Sequence, residues 1–172
     1  GHLLVSTLHT PDATTTISRI IAMFPPEEQD IVRVRLADSL HAVISQRLLR
    51  RKDGHGRVAA LEVMIATATI KDLILDQNRT SEIREFIADG REQYGMQTFD
   101  QHLMDLVQQD VVDYDSALAH ASNPSDFELQ VKTFRRHSRL SAKAPVAPAP
   151  APQGPPPDRS QQRREGKECR SR

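Results

Sequence analysis

The chain has 172 residues, 38% of them hydrophobic, and its 23 Lys and Arg balance 23 Asp and Glu for a formal net charge of zero. That length carries one ordinary domain core with an appendage, and the charge balance excludes a broad basic field for recruiting nucleic acid or anionic lipid. The lone Cys169 has no intrachain disulfide partner, which suits a reducing cytoplasm. No run approaches the ~18 apolar residues of a membrane span, so the sequence reads as soluble, with at most peripheral membrane contact.

In chain order, Leu3 to Leu8 predicts a largely buried strand. Asp12 or Thr10 can cap a helix whose apolar face is Ile17, Ile20, Ile21 and Phe24, spaced i, i+3, i+4, i+7. Pro25 and Pro26 end it and start a second, long helix through "PPEEQDIVRVRLADSLHAVISQRLLRR". Its leading Glu27, Glu28 and Asp30 and trailing Arg47, Arg50 and Arg51 complement a helix dipole. "DGHG" turns the chain into a strand, Arg57 to Ile65, that carries Glu62.

Further helices are predicted from Thr67 to about Gln77, Ser81 to Asp89, Thr98 to Gln109 after a Gly90 stop and a loop, Asp115 to Ala121, and roughly Ser125 to Arg136. From Ser141 onward the chain turns proline-rich and then polar and mostly basic. Residues 137–172 therefore read as a disordered tail, with too little apolar area to order itself.

Seven histidines are scattered without the clustered spacing of a zinc site, and the phosphate-cradling pattern GxxxxGK[ST] is absent from the chain. Gly54 and Gly56 in "DGHGRV" lack the following Lys and hydroxyl residue and precede a strand. His9 and its flanking threonines could still donate hydrogen bonds to a phosphate or its attacking water if another segment supplied the binding loop. The alternative is a satisfied structural histidine.

"GHLLVSTLHT" resembles the His box of the secretion ATPase superfamily, the hexameric motors of type II secretion, type IV pili and type IV secretion. The resemblance continues through "ATTTISRIIAMFPPEEQDIVRVRLADSLHAVISQRLLRR", "GRVAALEVMIATATIKDLI" and "GMQTFDQHLMDLV" in the order and spacing of the PilT-type twitching-motility retraction ATPases, and covers Gly1 to about Lys132. Assembly and type II secretion members usually carry a four-cysteine zinc insertion after the "ISQRL" segment; here "LLRRKDGHGRV" has no cysteine, which favours the retraction branch.

The resemblance implies an α/β fold: the C-terminal part of a RecA-like P-loop NTPase core over residues 1–66, a helical C-terminal region over 67–136, and the tail. It maps His2 and His9 onto the His-box histidines, in the catalytic site, with Thr7, Thr10 and Arg19 nucleotide-binding; Arg19 also reads as a helix-surface cation. "TIKDLI", Thr69 to Ile74, is similar to the family's "AIRNLI" motor-output motif, with Ile70, Leu73 and Ile74 keeping the apolar spacing and Lys71 and Asp72 replacing arginine and asparagine. Glu62 matches a family strand position where a structural salt bridge is expected.

The implied function is ATP-driven type IV pilus retraction by a cytoplasmic homo-hexamer that docks on the pilus inner-membrane platform protein, with no nucleic-acid partner and no metal bound by this chain. ATP and Mg2+ serve the intact motor. The phosphate loop and Walker B segments would precede Gly1, so the chain alone is expected to bind neither and to hydrolyse no ATP. A non-catalytic helical module regulating a pilus or secretion motor, or a piece of an assembly or type II secretion ATPase, are the alternatives.

Overall fold

The computed structural model describes the backbone of residues 2–141 and side-chain environments through residue 133; the proline-rich stretch and Cys169 lie outside the described residues. Contacts divide the chain into a unit over Gly1–His137 and a second over Ser138–Arg172.

Helix α1 spans Ala13–Ala22, capped by the Asp12 carboxylate, which accepts the Thr15 amide at 2.7 Å. Ile17 and Ile21 are buried, Ile20 is half-buried and Phe24 lies exposed beyond the helix end. A 3-10 turn at Pro26–Glu28 leads into α2, Gln29–Ser39. The long helix predicted through Arg51 stops there. Ala42–Arg50 forms strand β1, antiparallel to β2, Arg57–Ile65, in the register Ala42↔Ile65 to Arg50↔Arg57.

The charged ends suited a helix, but "AVISQRLLR" carries period-two burial, with Ser45 and Leu49 inside and Ile44 and Leu48 outside. Cross-strand pairing rewards that alternation more than dipole complementarity rewards a helix. Gly54 and Gly56 take left-handed backbone in the connecting turn, where any other residue is strained.

The predicted strand Leu3 to Leu8 is also corrected. Residues 2–10 form no regular element, and Leu3, Leu4 and Val5 are 84%, 87% and 82% exposed. A strand requires a ladder partner, and among the described residues the sheet consists of β1 and β2 alone.

The remaining helices follow the expected order: α3 Ala68–Leu75, a 3-10 turn at Thr80–Glu82, α4 Ile83–Asp89, a short α5 Arg91–Tyr94 where a loop was expected, α6 Phe99–Gln108, α7 Tyr114–His120 and α8 Pro124–Ser141. Thr98 and Gln101 start α6 with a reciprocal capping box. Helix α8 runs five residues past the predicted end at Arg136.

Two apolar clusters lie against the hairpin. Met64 joins Ile17, Ile21, Ala37, Ile70, Leu73, Ile74, Ile83 and Ile87, while Leu49 and Ala60 join Phe99, Leu103, Leu106, Ala117 and Phe127. Between them on the same hairpin face sits the polar cross-strand pair Ser45 and Glu62. Arg47 spans the next step, its guanidinium 4.0 Å over the Phe99 ring and donating to the His120 carbonyl at 2.6 Å. Asp100, also buried, ties α4 to the start of α8 by accepting from Arg84 at 2.7 Å and from the Ser122 and Asn123 amides at 2.7 and 3.3 Å.

Candidate functional site

The candidate site is the segment leading into α1. His2, Thr7 and His9 are exposed and Thr10 is half-buried. Arg19, in the last turn of α1, folds back so that its Nη1 donates to the His9 carbonyl at 2.8 Å. The structure thus brings His9, Thr10 and Arg19 together, while His2 and Thr7 lie further out along the irregular segment.

The Thr10 and Thr16 hydroxyls meet at 2.6 Å, and Thr16 Oγ1 also lies 2.8 Å from the Asp12 carbonyl oxygen. A carbonyl only accepts, so the single Thr16 proton goes to Asp12 and Thr10 must donate to Thr16. In this geometry the Thr10 proton is committed inside the protein, and its oxygen is left to act only as an acceptor. Among the described residues the His9 imidazole has no hydrogen-bond partner, and its ring is exposed.

Beneath α1, Glu62 on β2 is 4% exposed, and its Oε1 accepts the Ala13 amide, at the first residue of the helix, at 2.8 Å. The expected salt bridge is corrected: among the described residues no cation lies within ion-pair distance, and Arg84 and Arg47 act on Glu62 only through space. Burial pushes the Glu62 carboxyl above the usual glutamate range, opposed by the Ala13 amide and reinforced by the neighbouring Asp12 charge. The sequence signal for this role was a lone acid in an apolar strand; its partner, a backbone amide 49 residues away, has no sequence signature.

The second motif lies elsewhere. Ile70, Leu73 and Ile74 are fully buried on α3, Asp72 is exposed, and the half-buried Lys71 reaches the Asp38 carbonyl at 3.4 Å. The buried Arg33 of α2 donates to the Ile74 carbonyl at 3.1 Å, satisfying the C-terminal end of α3. Among the described residues no group of three or more His, Cys, Asp or Glu could hold a metal ion, and no helix is long and apolar enough to cross a membrane.

Residues 1–139 match the family model described as type II/IV secretion system protein. The chain belongs to this family. Its curated relatives include a twitching motility protein of Neisseria gonorrhoeae, 43% identical over 72% of this chain and 32% of the relative. The type IV pilus retraction ATPase PilT of Pseudomonas aeruginosa is 42% identical over 74% of this chain and 36% of its own length. PilU, a type IV pilus ATPase of the same organism, is 39% identical over 77% and 34%. The chain therefore spans about a third of the length of each.

The crystal structure of the pilus retraction motor PilT with bound ADP superposes with a TM-score of 0.58 at 34% identity, covering 70% of this chain and 33% of that one. The ATPase DotB of Legionella pneumophila matches in fold, with a TM-score of 0.52 at 19% identity over 63% of this chain and 29% of that one. The α/β class and the secretion-ATPase resemblance read from the sequence hold; the family member is mostly helical around a small sheet.

Proposed function

We propose that this family member forms part of a hexameric ATPase that retracts type IV pili, working in the cytoplasm against the inner-membrane pilus platform protein. The observation that carries the reading is the joining of His9, Thr10 and Arg19 around α1 in a chain whose relatives include a twitching motility protein and a type IV pilus retraction ATPase. His9 offers an exposed imidazole donor of the kind a terminal phosphate accepts, and losing that anion would remove a charge-assisted hydrogen bond. The Arg19 contact to the His9 carbonyl then links the presence of phosphate to the position of α1.

ATP supplies the phosphoryl group to be hydrolysed. In this reading the metal and the phosphate loop belong to the rest of the motor, and this chain contributes the exposed His9 imidazole as a hydrogen-bond donor. Here α3 transmits rather than reacts: its apolar residues lock it onto α2, and Lys71 and Asp72 are the motif residues left to face outward.

The test is ATP hydrolysis by the complete gene product and by this chain alone. The complete product is expected to hydrolyse ATP and to lose about 100- to 1,000-fold in kcat on His9→Ala, the scale of a lost transition-state donor. The chain alone is expected to release no phosphate. Wild-type hydrolysis by His9→Ala, or hydrolysis by the chain alone, overturns the assignment.

A further inference from the structure

Glu62 is a buried acid that the proposed chemistry does not use, and it sits at the seam between the two apolar clusters. A carboxylate there is costly unless its hydrogen bond does something an apolar residue could not. What it does is fix the N-terminus of α1. Its oxygen receives the Ala13 amide at 2.8 Å, one of the helix-start donors left without an intrahelical acceptor.

From that anchor a chain of contacts leads outward. The Asp12 carbonyl, peptide-bonded to Ala13, accepts both the Thr16 amide at 3.0 Å and the Thr16 hydroxyl at 2.8 Å. The Thr16 oxygen receives Thr10 at 2.6 Å, and one helical turn on, Arg19 holds the His9 carbonyl at 2.8 Å. Among the described residues the hydrogen bonds that restrain His9 and Thr10 come from α1, and the β-hairpin reaches α1's first amide through Glu62.

We propose that Glu62 is a positioning residue for the His9–Thr10 segment, acting through the N-terminus of α1 and the Thr16 hydroxyl. The inference rests on the reading of that segment as the phosphate-facing edge of the site, and it adds the group that holds the edge in place. The bond needs an acceptor oxygen rather than a charge, so Gln serves where Ala fails.

The experiment measures amide exchange and backbone order by NMR in the 172-residue chain. In Glu62→Ala, protection of the Ala13 amide should fall at least about 10-fold and the order of His9 and Thr10 should drop, while the Leu73 and Ile74 amides in the apolar core stay within about twofold, as local rather than global opening requires. Glu62→Gln should restore all three.

Thr16→Val cuts the chain one link later, without touching the hairpin. It should release Thr10 and leave the Ala13 amide protected, and it decides the case if Glu62→Ala does not fold. A uniform loss across core amides in a folded Glu62→Ala, no loss at Ala13, failure of Gln to restore order, or an unmoved Thr10 in Thr16→Val each overturns the proposal. None of these readouts involves ATP. Failure of the phosphate-facing reading appears separately, as unchanged hydrolysis by His9→Ala in the complete gene product.

Discussion

The two segments that most resemble motor motifs occupy opposite environments. The His9–Thr10 segment is held at the surface by hydrogen bonds to one helix, whereas Ile70, Leu73 and Ile74 are packed within an apolar cluster. A site that must meet a ligand keeps its donors exposed and depends on polar anchors for its shape. A transmitting element is held by close packing, which resists continuous deformation and moves as a block. The same distinction sets what each should cost to disturb.

The largest effect is expected from Leu73→Ala, which empties a fully buried site and should lower unfolding free energy by about 3 kcal/mol in denaturant titrations. His9→Ala in the same assay should stay within about 0.5 kcal/mol, the range for an exposed position. Equal losses would erase the contrast between core and surface motif.

Next is Asp100→Ala, which strands two backbone amides and the Arg84 guanidinium and should cost about 2 kcal/mol in thermal unfolding, without altering the order of His9.

The pH dependence of Glu62 sharpens the polar side of the comparison. Its carboxyl titrates above the unfolded value of 4.5, so between those two points the folded state binds more protons than the unfolded one. Stability from this group therefore falls as pH rises through the window. Glu62→Gln removes the dependence: the variant should gain on the wild type toward neutral pH and converge with it below about 4.5, read as the difference between two stability–pH curves. An advantage that grows as pH falls would refute the burial account.

The smallest effect should come from Lys71→Ala. Its single long contact to Asp38 is worth at most about 0.5 kcal/mol, so any change in motor output from that variant would come from the outward face of α3.

Much of the helical part was legible because its signals are local. The helix starts placed at Thr67 and Thr98 fall where each threonine caps its helix, and the spacing of Ile17, Ile20 and Ile21 lies within one or two turns. The errors were non-local. Ala42–Arg50 had acceptable helix chemistry, and only β2, placed opposite by the two-glycine turn, makes the strand preferable. Leu3 to Leu8 had acceptable strand chemistry but no ladder to join within the described residues. The candidate site divides the same way: His9, Thr10 and Arg19 were readable as a motif, while Thr16 and the anchoring role of Glu62 were not.

Residue identity over short spacings was enough to read the family, the helix starts and the chemical types at the candidate site. Tertiary structure alone decided which half of "PPEEQDIVRVRLADSLHAVISQRLLRR" became strand, that Glu62 serves a backbone amide rather than a cation, and that the Thr10 proton points inward. Each of those outcomes depends on which acceptor or ladder partner arrives from a distant part of the chain, and a hydrogen bond is decided by both of its ends.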